Sequence, residues 1–143
     1  MRIAIINVPE RGIPQSLTHC FTPMNYDLRV FTDTQHVGAA WNHLRALDWA
    51  ATSNEPTIIL EDDAIPTSHV AEKLFDWTKR REFRHTDATS FYLGKGAPVY
   101  AQHEIQTLIT AAENISDDHV ISRTLYHAVA YCINPLNVAH VVK

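Results

Sequence analysis

Residues 56–66, PTIILEDDAIP, place an apolar run of β-branched residues and leucine directly before three consecutive carboxylates. Such a run predicts a strand that is buried on both of its faces. Because side chains alternate along an extended chain, we expect Glu61 and Asp63 on one face and Asp62 on the other. Clustered carboxylates repel one another unless a cation or a proton intervenes, and a divalent cation with oxygen ligands is the partner that the pattern favours.

The same three acids also fit a simpler interpretation. Asp and Glu near the N-terminus of a helix interact favourably with the helix dipole, so residues 61–63 could form an acidic turn before the next helix. The depth of the preceding apolar run favours the metal site, because it predicts that the carboxylates are partly buried. Both interpretations stay open at this point.

Strand-like and helical patterns alternate along the rest of the chain. Strands are predicted at residues 2–8, 26–31, 57–61, 90–93 and 128–133. Helices are predicted after Pro14, at residues 35–51, after a cap at Thr67, around residues 105–112 and after Pro135. The apolar stripe of the helix at 35–51 is expected to face the sheet and consists of Val37, Trp41, Leu44, Leu47 or Asp48, and Ala51.

This alternation predicts one α/β domain over residues 1–143, with a mostly parallel sheet flanked by helices on both faces. Ligands of such sheets bind outside the carboxyl ends of the strands. Residues 9–12, Asp33 and residues 61–63 all lie at the carboxyl ends of predicted strands. We therefore expect these three segments to meet around one ligand.

Composition narrows the classes of function. The chain of 143 residues carries a net charge of −4, which argues against a general polyanion-binding surface. No apolar run approaches the length of a membrane span, and no signal-peptide pattern opens the chain, so a soluble cytoplasmic protein is expected. The glycine-rich dinucleotide signature, the phosphate-binding loop and the nucleophile elbow are all absent from the sequence.

Individual residues leave several alternatives. Gly38 opens a run of small residues at the start of the second predicted helix, where an anion or a closely packed strand fits equally well. Arg45 fits either a residue that binds a diphosphate or an ordinary surface arginine without a ligand. His43 and His127 each fit a general base, a metal ligand or a histidine at the edge of the core.

Four segments together resemble a known family: residues 38–44 (GAAWNHL), 58–63 (IILEDD), 91–94 (FYLG) and 130–133 (AYCI). Their order is similar to that of glycosyltransferase family 25 and of small phage-type glycosyltransferases with the GT-A fold. The likeness spans roughly residues 2–142, and its most specific part is the helix followed by the strand with its EDD. Asn42 stands beside His43 where the family has a Ser-His pair, so only His43 carries over there.

The resemblance implies a nucleotide-sugar donor, most simply a UDP-sugar, bound over the N-terminal half of the sheet. Glu61 and Asp63 would hold Mn²⁺ or Mg²⁺ against the diphosphate, and Asp62 would act in catalysis by contacting the ribose or the sugar. His127 would serve as a second catalytic residue on the metal or acceptor side. The remaining donor-binding positions would be Val8, Pro9, Arg11, Asp33, Gly38, Asn42, His43 and Arg45.

The acceptor implied by this resemblance is a hydroxyl group of a glycan, a lipopolysaccharide or a modified DNA base, in the host cytoplasm if the chain is phage-encoded. Lys143 ends the sequence within a helical pattern, so a C-terminal portion of such a domain is expected to be missing or to come from a partner chain or a second copy. Two alternatives remain. One is a non-catalytic nucleotide-sugar binding module, and the other is a metal-dependent phosphohydrolase.

Overall fold

A computed structural model describes residues 1–21, 25–91, 99–115, 119–120 and 130–136. The strands in these ranges are β1 (Arg2–Asn7), β2 (Asp27–Thr32), β3 (Thr57–Glu61), β4 (Ala88–Ser90) and β5 (Ala130–Ile133). The helices are α1 (Gln15–His19), α2 (Ala39–Ala50), α3 (Val70–Lys79), α4 (Arg81–Arg84) and α5 (Val99–Asn114). None of these helices is long and apolar enough to cross a membrane.

The strands form one mixed sheet in the order β2-β1-β3-β5-β4. β1 pairs in parallel with β2 and β3, whereas β5 pairs antiparallel with β3 and β4. The α/β class is therefore confirmed, but the prediction of a mostly parallel sheet holds only for the pairings of β1. The antiparallel direction of β5 could not be predicted, because a short, fully buried apolar run has the same sequence pattern in either direction.

Helices cover both faces of the sheet. Leu17 of α1 and Leu74 of α3 pack with Ile3, Ile5 and other buried residues on one face. Ala46, Leu47 and Ala50 of α2 pack on the other face, which includes Ala4, Ile59 and Tyr131. β1 and β3 supply alternating residues to both layers, as expected for strands buried on both sides.

The apolar stripe predicted for α2 is mostly wrong. Trp41 and Leu44 are 52% and 42% exposed, and Val37 lies before the helix at 57% exposure. Of the predicted stripe only Leu47 is buried; Ala51 follows the helix and is exposed. The buried side of the helix instead consists of Asn42, Ala46, Leu47 and Ala50. Small side chains on this side allow close approach to the sheet, and the amide of Asn42 anchors it there by hydrogen bonds to two backbone carbonyls.

Several element boundaries also differ from the prediction. α2 begins at Ala39 rather than at residue 35, because Gly38 has φ 113°, which lies outside the helical range. α3 is preceded by His69 with φ 58° and has no side-chain cap, so the predicted cap at Thr67 is wrong. The fourth strand is centred earlier than predicted, at Ala88–Ser90. Residues 92–98, 128–129 and 137–143, which include parts of predicted elements, lie outside the described residues.

The buried face of α2 differs from the predicted one, and this difference gives a direct test of the fold. We expect Leu47→Ala to lower the free energy of unfolding by about 2–4 kcal/mol, because it leaves a cavity against the sheet. Leu44→Ala, three residues earlier on the exposed side, is the matched control and should cost less than about 1 kcal/mol. Urea denaturation measures both values. Equal losses, or a larger loss for Leu44, would contradict this orientation of the helix.

Candidate functional site

The carboxyl ends of β1, β2 and β3 meet at one edge of the sheet. Asn7 is in register with Thr32, and Ile6 is in register with Glu61. The segments that follow these strands therefore come together, as the sequence predicted for residues 9–12, Asp33 and residues 61–63. This edge is the candidate functional site.

Asp62 is buried beneath this edge, with 4% of its side chain exposed. Its Oδ2 accepts hydrogen bonds from the backbone N–H of Val8 at 2.9 Å and from Nδ2 of Asn7 at 3.2 Å. Its Oδ1 accepts one from Nη1 of Arg11 at 3.0 Å. Both carboxylate oxygens of Asp62 thus bind groups of the protein itself, and they hold the loop after β1 against the end of β3.

The exposed side chain of Arg11 lies between the buried carboxylate of Asp62 and the exposed carboxylate of Asp63. Its Nη1 is 3.0 Å from Oδ1 of Asp62 and 3.0 Å from Oδ2 of Asp63, and the side chains of Arg11 and Asp63 are 57% and 56% exposed. Hydrogen bonding to Asp62, followed by the charge of that carboxylate, raises the pKa of Arg11. The guanidinium therefore supplies positive charge beside the acids.

The loop that carries Arg11 is shaped by the sequence around it. Gly12 has φ 66°, a left-handed conformation that glycine adopts without strain, and its carbonyl accepts a hydrogen bond from Nδ2 of Asn7 at 3.0 Å. Pro9 is exposed in this loop, and Val8 is half-buried with its N–H bound to Asp62. Arg11 is thereby presented above the strand ends.

Glu61 lies on the side of the sheet that α2 covers, opposite to Asp62. Its Oε1 lies 3.3 Å from Nε2 of His43, and Nδ1 of the same imidazole lies 3.0 Å from the hydroxyl of Tyr131. The hydrogen bond from His43 is the main cause of a lowered pKa at Glu61. Burial raises the pKa of the Tyr131 hydroxyl.

The expected alternation of residues 61–63 does not extend past the strand. β3 ends at Glu61, and a hydrogen bond of 3.0 Å from the N–H of Ala64 to the carbonyl of Glu61 closes a turn over Asp62 and Asp63. Glu61 is paired with His43, whereas Asp63 shares Arg11 with Asp62. The prediction that Glu61 and Asp63 share one face therefore fails, because a turn replaces the extended chain on which it depended.

Asp33 is buried and accepts hydrogen bonds from two N–H groups directly before α2. Its two oxygens accept hydrogen bonds from the N–H of Val37 at 3.0 Å and of Gly38 at 2.7 Å. Asp33 and Gly38, two of the predicted donor-binding positions, are thus connected to each other by a hydrogen bond. Their contacts fix the turn that leads into the helix.

Asn42 and Arg45 tie α2 to the strand ends. Asn42 is fully buried, and its Nδ2 donates to the carbonyls of Asn7 at 3.3 Å and Phe31 at 2.8 Å. Nη1 of Arg45 donates to Oδ1 of Asn42 at 3.0 Å and to the carbonyl of Thr32 at 3.2 Å. Asn42 has no exposed surface to offer a ligand, whereas Arg45 is exposed beside the site.

Two residues of the site were missed at the level of sequence. Asn7 is the first amide after an apolar run, and Tyr131 carries the hydroxyl in the late strand of residues 130–133. Both bind predicted site residues, Asn7 through Asp62 and Tyr131 through His43. A polar group within a buried strand was the signal in each case, because such a group needs a hydrogen-bonding partner. His127 lies outside the described residues.

Of the three acids at 61–63, Glu61 and Asp63 have exposed side chains, at 29% and 56%. Among the residues that the structure describes, no three His, Cys, Asp or Glu side chains are grouped closely enough to hold a metal ion. Mg²⁺ is commonly held by one or two carboxylates together with waters and substrate phosphates. Glu61 and Asp63 have different partners on different sides of the strand end, and among the described residues they do not form a cage for an ion by themselves.

The lowered pKa of Asp33 predicts sensitivity to acid. Hydrogen bonds from the N–H of Gly38 and Val37 place the folded pKa of Asp33 below its ordinary value of 3.8. The stabilisation is therefore complete above that value and is lost as the pH falls through the folded pKa. We expect the free energy of unfolding, measured with urea between pH 6 and about 2.5, to fall less steeply below about pH 4 in Asp33→Asn.

Asp48→Asn, on an exposed position of α2, is the control for this measurement and should keep the acid dependence of the wild type. An identical slope in Asp33→Asn and the wild type would contradict the role of Asp33 in holding the turn before α2.

No protein-family model, curated protein or solved structure matches the chain. The functional interpretation therefore depends on the chemistry of this edge: an exposed guanidinium, two partly exposed carboxylates and a histidine network behind one of them.

Proposed function

We propose that the chain is a nucleotide-sugar-dependent glycosyltransferase domain that acts with Mn²⁺ or Mg²⁺. The observation that carries this proposal is the convergence of Arg11, Glu61 and Asp63 at the carboxyl ends of three paired parallel strands. This is where open α/β sheets bind nucleotides. The sequence resemblance to glycosyltransferase family 25 supports the choice of a nucleotide-sugar as donor. We also propose that the domain has the GT-A fold of that family.

In this proposal Arg11 binds the diphosphate of the donor. Its guanidinium is more than half exposed and is held in place from below by buried Asp62. A planar guanidinium presents several donors in a fixed fork, which matches the oxygens of a phosphate group. Asp62 then acts by positioning Arg11, which differs from the direct contact with ribose or sugar expected from the sequence.

In this proposal Glu61 and Asp63 approach the divalent ion from the two sides of the strand end, beside the same phosphates. When bound, such an ion stabilises the negative charge that develops on the departing nucleoside diphosphate. His43 keeps Glu61 oriented and ionised through its hydrogen bond. Asp63 shares Arg11 with Asp62, so donor phosphate and Asp63 would both contact this side chain.

The transfer itself joins the acceptor oxygen to the anomeric carbon of the sugar and breaks the bond from that carbon to the diphosphate. The hydroxyl proton of the acceptor passes to a base, for which His127 is the candidate from the sequence. A net charge of −4 favours a glycan acceptor over DNA.

A second candidate function is a nucleotide-sugar binding module that works beside a partner chain. The observation that favours it is the burial of Asp62, whose side chain is only 4% exposed and whose two oxygens both bind groups of the protein. In this case the donor would bind without being consumed by this chain alone.

Calorimetric titration with UDP-, GDP- and CDP-sugars, with and without Mn²⁺, tests both functions when it is combined with an assay for released nucleoside diphosphate. Metal-dependent binding with release supports the glycosyltransferase. Binding without release supports the module. Absence of binding to any of the sugars overturns both, and release of phosphate from a simple phosphate ester would identify a phosphohydrolase instead.

A further inference from the structure

The hydroxyl of Tyr131 forms a hydrogen bond within the core of the protein. Tyr131 lies on β5 opposite Ile59, and only 3% of its surface is exposed. Its hydroxyl lies 3.0 Å from Nδ1 of His43, and the two rings stack with centroids 5.8 Å apart and planes inclined by 25°. The ring of His43 is therefore held both by stacking and by a hydrogen bond.

The chemistry of the three groups decides where the protons lie. An ionised carboxylate only accepts hydrogen bonds, so the bond between Glu61 and His43 requires a proton on Nε2 of the imidazole. In a neutral imidazole, Nδ1 then carries a lone pair and accepts a proton from a donor. The hydroxyl of Tyr131 is the group that donates to it.

We propose that Tyr131 is a positioning residue that holds His43 in its Nε2–H form and thereby orients the carboxylate of Glu61 toward the donor site. The last link, from Glu61 to the donor, rests on the proposed function. The first two links depend only on the contacts of Tyr131, His43 and Glu61.

This arrangement resembles the outer contacts of metal sites, in which a second hydrogen-bonding partner orients the group that binds the ligand. It also explains why β5 has a tyrosine at position 131, where a phenylalanine would fill the same space in the core. A buried hydroxyl without a partner is costly, so the bond to His43 is what makes this tyrosine compatible with the core.

Nitrogen-15 spectra of the imidazole side chains test the proposal in the full chain, with the signals of His43 assigned by comparison with His43→Gln. In the wild type we expect a protonated Nε2 and an Nδ1 resonance shifted by hydrogen bonding. Tyr131→Phe keeps the ring and should move this Nδ1 resonance toward that of an imidazole without a donor. We also expect the affinity for Mn²⁺ with UDP to fall about tenfold.

Tyr100→Phe, at a position that is 84% exposed, is the matched control and should change neither readout. A protonated Nδ1 in the wild type, or an unchanged Nδ1 resonance in Tyr131→Phe, overturns the proposal. So does an unchanged affinity in Tyr131→Phe if Glu61→Gln loses affinity. If the wild type binds no UDP, the proposed function fails, and the Nδ1 resonance still decides the role of Tyr131 toward His43.

Discussion

Asp62→Asn is expected to lower the free energy of unfolding by about 3 kcal/mol, because it places an amide among three hydrogen-bond donors. Asp62 accepts from the N–H of Val8, from the amide of Asn7 and from Arg11. An asparagine of the same size offers one oxygen and one NH₂ group, so at least one of these donors would face another donor. The loss of charge also leaves Arg11 with only its surface partner.

The measurement is urea denaturation at pH 7, supported by thermal unfolding, where a loss of this size lowers the midpoint by roughly 10 °C in a chain of this length. Asp63→Asn is the matched control because Asp63 binds the same Arg11 at the surface. It should cost less than about 1 kcal/mol, as expected for an exposed ion pair. If Asp62→Asn is as stable as the wild type, Asp62 is not the buried link between the loop and β3.

The meeting of the three strand ends was predictable from the sequence, but the partners of the residues there were not. Apolar runs that end in polar residues located the carboxyl ends of β1, β2 and β3, and parallel pairing brings those ends together. The divalent cation expected beside residues 61–63 stays a prediction. Arg11 pairs with two of these acids, and its distance along the chain from Asp62 hid this contact from any local pattern.

The errors on α2 have a different physical cause. Counting apolar residues placed Trp41 and Leu44 in the core, yet the core at this point contains the carbonyls of Asn7 and Phe31, which need donors. Asn42 satisfies both, so a polar residue defines the buried side of the helix. Hydrophobic periodicity carries no information about backbone carbonyls on another element.

The direction of β5 and the role of Tyr131 were hidden for a related reason. Tyr131 reaches His43 only because β5 runs antiparallel beside β3, which places it opposite Ile59 and on the same face as Glu61. Neither the register nor the direction of a short apolar strand follows from its composition. Contacts between elements that are distant in the chain therefore had to come from the three-dimensional structure.

Asp63→Asn is expected to reduce the affinity for Mn²⁺ with UDP by at least about 100-fold while leaving the fold intact. Asp63 is one of two partly exposed carboxylates at the site, and an ion shared with substrate phosphates depends strongly on each protein ligand. Replacing a residue that only supports a ligand already costs about 10–100-fold in metal affinity, so loss of a ligand itself should cost more. Calorimetric titration of UDP with and without Mn²⁺ gives the value.

Asp76→Asn is the matched control for this prediction, since Asp76 is an exposed carboxylate that pairs with Lys79 on α3. It removes the same charge from the protein and should leave the affinity unchanged. A loss in Asp63→Asn that persists without Mn²⁺ would mean that Asp63 acts through Arg11, because the two side chains share a hydrogen bond. An affinity equal to that of the wild type would remove Asp63 from the metal site and leave Arg11 as the cation that meets the diphosphate.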